Sequence, residues 1–524
     1  MRMNKKLRLM FVSLLTMSML VGCGGSSDSA SGNDEVTTEG TEADTHINVA
    51  PFRWVEGMDP GKDWNGYNST RFSICEPLVT LNKELQIEGV LAESWEQIDD
   101  VTYVFQIREG VTFTNGNPLD AEAVKASLER VMAINARGGD AKINTIVADG
   151  HTLTITTTEP FSSFLNNLTE PMYTIVDVKD LDDVDTKPVG TGAYYVVEHV
   201  AEERIELAAN ENYWGGAPSI KTMTIKNVDH DVKVDAVLAG DIDVAQGPTM
   251  STVAKAEGNT KGVQILTLPG ARETDLVLNS REGHPLAEPT LRQAISFAIN
   301  RQAIAQVAGN GYAQPIYGPF PESANYSFDR VAGQQYDVEK AKQLLTEGGY
   351  IDSDGDGYVE LLDGRMAEFD FEFEPALVGT AMPEAVQDML KTIGLKINLM
   401  PMETSSYDPT EHAEKDITVD QAFPVNVGDG QKFLTNGFST GGSENYGGYS
   451  NAEYDALMDE LANAFDPEMR MDIFVEAQQH LIDHVANVWL YAPDDITVVS
   501  EKMEGITLHP LNYYLYTNDW EIKN

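Results

Sequence analysis

The sequence predicts an α/β chain folded as two lobes whose contacts interleave along the chain. Three observations lead there. Strand-like and helix-like segments alternate from His46 to Asn524, no polar linker long enough to part independent domains interrupts them, and 524 residues amount to roughly three domain equivalents. Hydrophobic residues at 42% and charged residues at 23% are ordinary for a globular protein, which excludes a disordered chain, a collagen and a multi-span membrane protein. Neither a 20–50-residue period nor a coiled-coil heptad runs through the chain.

Residues 1–22 begin with Arg2, Lys5, Lys6 and Arg8 and continue as the apolar run LMFVSLLTMSML, too short to span a bilayer comfortably. This pattern predicts an export signal. It ends in Leu20-Val21-Gly22-Cys23, which resembles a bacterial lipobox, so Cys23 is expected to be diacylated and to become the mature N-terminus. Residues 23–45 are rich in Gly, Ser, Thr and acids and bury too little to offset chain entropy, which predicts a flexible tether. With Cys23 lipidated, Cys75 has no partner for an intrachain disulfide.

In the body, strands are expected at 102–107, 152–158, 193–197, 368–373 and 396–400, where apolar and polar residues alternate. Asp120 is placed to cap a helix in which Val124, Leu128 and Val131 share a face. Pro289 opens a helix through LRQAISFAINRQAIAQV, Asp337 caps VEKAKQLL, and Gly348-Gly349 ends it. Two further helices are expected from about Ala452 and after Pro467.

Charge narrows the partners. Lys and Arg number 36 against 83 Asp and Glu, a formal charge of −47 that becomes −51 once residues 1–22 and their four basic side chains are removed. Such a field repels phosphate backbones and anionic lipid surfaces, so no nucleic-acid partner is expected and membrane contact is through the lipid anchor only.

The motifs that suggest chemistry fail in context. Gly437-Phe438-Ser439-Thr440-Gly441 matches GxSxG, but it lies in a stretch read as a Gly/Ser/Asn loop with no helix after it, unlike a nucleophile elbow. His480 and His484 are four apart on a helix, yet Leu481, Ile482 and Asp483 between them supply no glutamate base. Asp352, Asp354 and Asp356 with Gly357 form the first half of an EF-hand-like calcium loop, with Glu360 at its ninth position and the short Asp363 at its twelfth. The leading reading is therefore no cofactor and no catalysis. Calcium on the acidic turn is the alternative left open.

Two segments carry a family resemblance. PVGTGAYYV from Pro188 and LAANENYWGGAPSIKTMTIK at 207–226 are similar to the signature of the family 5 extracellular solute-binding proteins, the dipeptide, oligopeptide and nickel receptors of ABC importers. Further segments of that family recur in order: Glu76-Pro77-Leu78, LAESWE at 91–96, FQIREGVTFTNGNPLDAEAVKASLERV at 105–131, AVLAGDIDV at 236–244, LRQAISFAINRQAI at 291–304 and 449–481. The resemblance covers essentially 46–524, and in this family DxDGDG-like hairpins also occur between a helix and a strand.

It implies a two-lobe periplasmic-binding-protein-like flytrap of the large class, with an extra subdomain in lobe I. Lobe I is expected over 46–268, completed by 491–524, and lobe II over 269–490. The implied partners are an ABC permease and its ATPase, with a peptide or metal-chelate ligand, for a monomer on the extracytoplasmic face of the bacterial membrane. A rival class, an extracellular serine hydrolase or a chaperone-like binder, needs a working GxSxG or metal site.

The resemblance also addresses cargo. Where dipeptide receptors carry a Trp and an ammonium-binding Asp before Gly-Asp-Pro, this chain has Phe423, Asn426 and Gly430. Where nickel-chelate receptors carry an arginine in Leu-Pro-Arg-Pro it has Met172, although Arg137 falls near another of their arginines. Expected at the cleft are Trp64, Tyr67, Arg71, Arg137, Arg272, Asn426 and Tyr446, because arginines in so acidic a chain concentrate positive potential for a ligand carboxylate. A surface ion pair is the plainer role open to each arginine.

Overall fold

Two sheets organise the chain. The first, seven-stranded, runs in the spatial order Val263–Leu268, Asp495–Ser500, Val244–Gln246, His46–Ala50, Thr222–Lys226, Arg204–Ala209, Tyr194–Val200. The second, six-stranded, runs Ala313–Pro315, Asn487–Pro493, Glu273–Leu278, Ile417–Ala422, Glu368–Phe373, Lys396–Pro401. A four-stranded antiparallel subdomain, Ala92–Asp99, Thr102–Ile107, Thr152–Thr157 and Ile143–Asp149, is inserted between strands of the first sheet and packs on helix Ala121–Ile134. The computed structural model describes residues 45–523 other than 55, 260, 261, 325, 327, 404–414 and 516. Thr45–Asn524 form one unit. The export signal, Cys23 and the tether up to residue 44 lie outside the described residues.

The chain passes from the first sheet to the second through 269–272 and returns at Asp494. These two crossings touch: a Cβ on Gly270 would stand 2.0 Å from the Pro493 carbonyl oxygen, so only glycine fits there. We refer to the bodies on either side as the first and second lobes. In the second, Glu368–Phe373 buries Phe369, Phe371 and Phe373 while Glu368 and Asp370 face water, the period-2 pattern of a half-buried strand. Glu273–Leu278 is central and buried on both faces, with Leu276 and Leu278 packed against helices Pro289–Ala298 and Val338–Glu347.

The single helix expected after Pro289 is two helices. Ile299 turns extended (φ −87°, ψ 115°), and the Asn300 side chain accepts from the Ala303 amide to cap Arg301–Gly309. An interior Asn that caps competes with helix continuation, and it wins here. The caps at Asp120 and Asp337 form as expected, each accepting from the amide three residues on.

The signature segments meet at one carboxylate. Glu76 accepts from Thr191 Oγ1 (2.7 Å), Tyr213 OH (2.8 Å) and Trp214 Nε1 (2.9 Å). Gly190 and Gly192 let the backbone close on this region, since a Cβ on either would lie 2.1 Å or less from the carbonyl oxygens of Ile74 or Ser73. Burial raises the Glu76 pKa, and the three hydrogen bonds oppose that rise. Glu76→Leu strands these three donors, so we expect it to lower the unfolding free energy by about 3 kcal/mol. Urea titration checks this, and a loss below about 1 kcal/mol contradicts the assignment.

Candidate functional site

Between the two sheets lies a cleft of about 680 Å³, within the range of small-molecule sites. The short helix Gly66–Arg71 supplies one wall. It presses on the 171–173 turn, where a Cβ on Gly66 would meet the Pro171 carbonyl oxygen at 2.3 Å, and this contact sets Tyr67 and Arg71 toward the second lobe. Arg272 comes from the crossing segment, Asn426 and Phe423 from the loop after Ile417–Ala422, and Tyr446 from the loop after Gln431–Phe438.

Arg71 is 5% exposed and, among the described residues, its Nε has no hydrogen-bond partner. Arg272 lies 3.9 Å over the Phe423 ring and donates to the Gln421 carbonyl (3.2 Å). Burial, then the charge of Arg53, lowers both guanidinium pKa values to about 10. Among the described residues no carboxylate lies within ion-pair distance of Arg53, Arg71 or Arg272. Three guanidinium groups thus line the cleft outside any ion pair, with Asp420 and Asp495 acting on Arg272 only through space, an arrangement that leaves them open to an anionic group on a solute.

A second cluster closes the cleft's side. Glu170, 1% exposed, accepts from Tyr67 OH (2.9 Å) and Arg137 Nη1 (3.0 Å) of the first lobe and from Asn426 Nδ2 (3.3 Å) of the second. Lys432 of the second lobe lies 3.5 Å from Glu170 and 2.9 Å from Asp140. The subdomain docks on the second lobe nearby, where Arg470 pairs with Asp429 (2.7 Å) and donates to Ser162 Oγ (2.6 Å) and Ser163 Oγ (2.7 Å).

Trp64, Tyr67, Arg71, Arg272, Asn426 and Tyr446 therefore share one cleft, with Trp64 54% exposed at its mouth. Arg137 differs from expectation. It does not line the cleft, because its guanidinium stacks on Trp64 at 3.6 Å and pairs with Glu170. Met172 is buried in the core of the subdomain. Asp420, Glu444, Lys432 and Arg53 line the cleft and were not singled out from the sequence.

The remaining motifs have local partners. Gly437 and Phe438 end helix Gln431–Phe438 and Ser439 is its C-cap, which corrects the loop reading; the helix precedes the serine, the reverse of a nucleophile elbow. His480 and His484 stack with centroids 4.1 Å apart, and His484 Nδ1 lies 2.8 Å from the His480 carbonyl oxygen. Asp352, Asp354 and Asp356 bring carboxylate oxygens within 4.8 Å of one another, and all three accept amides of their own turn.

The sequence pattern of the bacterial extracellular solute-binding proteins, family 5 Middle, matches residues 86–445. The chain is a family 5 bacterial extracellular solute-binding protein. It is 25% identical over 447 residues to the nickel-binding protein NikA of Staphylococcus aureus, covering 85% of this chain and 88% of that one. Heme-binding protein A of Haemophilus influenzae is 26% identical over 511 residues, 89% of each chain. The oligopeptide-binding protein AppA of Bacillus subtilis, solved with a nonapeptide, superposes with a TM-score of 0.78 over 91% of this chain and 99% of that one, at 22% identity. That likeness shows the two-lobe fold. This family 5 protein is thus a substrate-binding receptor of the ABC importers, acting outside the cytoplasm with a permease and its ATPase.

In this receptor Glu170 ties the lobes, and its protonation is expected to loosen them. Burial raises its pKa, but the charges of Lys432 and Arg137 and the hydrogen bonds from Arg137 and Tyr67 more than offset this, leaving it below 4.5. A depressed carboxylate pKa contributes stability that is present above the unfolded value and lost as pH falls through the folded one. We expect the stability difference between wild type and Glu170→Gln, measured by urea titration, to shrink steadily below pH 4.5. A difference constant across that window contradicts the latch.

Proposed function

We propose that this receptor captures a peptide or peptide-like solute between its lobes and passes it to the permease. The carrying observation is the group of arginines in the cleft, buried Arg71 and half-buried Arg272 with Arg53, none of which forms an ion pair among the described residues. A ligand carboxylate pairs with such groups through charge-assisted hydrogen bonds, and the aromatic walls of Phe423, Tyr446 and Tyr513 offer apolar contact beside them. The receptor acts as a monomer, held at the outer face of the membrane by diacylated Cys23, a reading supported by the basic start, the apolar run and the lipobox-like Leu20-Val21-Gly22-Cys23. It does no chemistry on its solute; the C-cap position of Ser439 supports this, since it holds the serine off any elbow.

A nickel or other metal chelate is the second reading. The same arginines suit a chelator's carboxylates, and the Staphylococcus aureus relative is a nickel-binding protein. Among the described residues no His or Cys lines the cleft, so the metal would arrive already chelated.

Native mass spectrometry of Thr45–Asn524, as purified and after mixing with peptide pools or with nickel and histidine, separates the two. We expect a bound mass that resolves into peptides on denaturation; a nickel isotope pattern assigns the chelate instead. Arg71→Met and Arg272→Met are each expected to weaken binding about 10- to 100-fold, the loss of one charge-assisted pair. Unchanged affinity in both contradicts the anionic pole. Serine-dependent esterase or peptidase turnover, abolished in Ser439→Ala, overturns the receptor reading as a whole.

A further inference from the structure

The second lobe holds a set of carboxylates that neither fold nor closure uses. Glu273, Asp275 and Asp420 project from one face of two paired central strands, with Asp275 directly opposite Asp420 and Glu273 opposite Ala422. Like charges facing each other across a strand pair destabilise it, and burial deepens the cost. With Glu444, these residues line a chamber of about 30 Å³ that shares Asp420, Phe433, Glu444 and Tyr446 with the main cleft.

Two further observations point to a ligand. Glu273 and Asp275, both lining the chamber, are each 1% exposed, and among the described residues Glu273 Oε2 and Asp275 Oδ1 have no hydrogen-bond partner. Among the described residues no Lys or Arg forms an ion pair with any of the four acids; Asn487, donating to Asp275 Oδ2 at 2.6 Å, is a neutral partner. Burial and neighbouring carboxylates hold Glu273 and Asp275 well above the usual carboxylate range. A fold gains nothing from such groups alone, whereas an entering cation satisfies them together.

We propose that this chamber is a cation subsite of the cleft, in which Glu273, Asp275, Asp420 and Glu444 receive a primary ammonium group of the solute. The size selects the group: about 30 Å³ holds one or two water-sized groups, which suits an ammonium better than a planar guanidinium. A bare metal ion is disfavoured, since the trio with ligand atoms within 4.8 Å of one another among the described residues is Asp352, Asp354 and Asp356, not these acids. Phe433 and Phe438 line the same chamber and suit the alkyl stem. Asn426, at the position of the family's ammonium-binding Asp, is neutral, so the cation is received at a different place in the cleft.

This deepens the peptide reading and rests on it. The test is calorimetric titration with five probes: Ala-Lys-Ala, its norleucine analogue Ala-Nle-Ala, the N-acetylated form of each, and 1,5-diaminopentane. We expect Ala-Lys-Ala to bind at least about tenfold more tightly than Ala-Nle-Ala, whose shape it shares. We expect Glu273→Gln and Asp275→Asn to bring the two within about threefold, while Asp352→Asn leaves the ratio unchanged. The isosteric amides are chosen to keep the fold, checked by their thermal transitions, and Asp420→Asn serves if one does not fold. Discrimination that survives N-acetylation places the lysine side chain in the chamber; lysine and norleucine peptides that bind alike, and both weaken on acetylation and with Glu273→Gln, place the peptide N-terminus there. If lysine and norleucine peptides bind alike and neither acetylation nor Glu273→Gln weakens them, peptide capture stands and the subsite falls. If the diamine binds in a Glu273-dependent way and no peptide does, the peptide reading falls and the subsite stands. Binding of none of the probes, or affinities indifferent to both amide variants, overturns the subsite.

Discussion

A carboxylate removed from water must be met by donors or cations, and the Glu170 side chain is met from both lobes at once. That requirement orders much of the cleft. It holds the Tyr67 hydroxyl, draws Arg137 off the cleft onto Trp64, and engages Asn426 and Lys432 of the second lobe. The pairing is local, so it leaves Arg71 and Arg272 on one side and Glu273, Asp275 and Asp420 on another outside any ion pair among the described residues. A receptor needs both kinds of group. Compensated charges hold the lobes together, and uncompensated ones are available to a solute.

The crossings explain why the unpaired groups gather there. Arg272 ends one crossing and Asp495 follows the other, and the contact of Gly270 with Pro493 keeps the two strands of chain together where the sheets part. Rotation about two adjacent short segments changes the gap between the lobes while leaving each sheet and its core intact. Solute capture then selects the closed arrangement because only there do both lobes touch the solute.

Much of this was legible from the residues. Strands at 368–373 and 396–400 were visible because one face is apolar and the other polar. The break at Ile299-Asn300 was not, since the apolar periodicity continues across it and only the cap geometry reveals it. The PVGTG segment is visible in the sequence, but the close approach of its glycines to residues 73–75 is not encoded by sequence spacing. In the cleft, arginines stood out against the acidic background, but acids did not. Glu273 and Asp275 could have been found: they alternate with Thr274, Leu276 and Leu278 in a strand otherwise buried, and charges at i and i+2 of such a strand share a face. The Glu170 cluster had no such signal, because its members, from Tyr67 to Lys432, lie up to 365 positions apart and meet only in the folded chain.

The central claim is that two lobes close on a solute across this cleft. Small-angle X-ray scattering of Thr45–Asn524, alone and saturated with the solute identified by mass, tests it most directly. The account predicts a smaller radius of gyration in the saturated protein. Superimposable scattering curves with the solute demonstrably bound would contradict it.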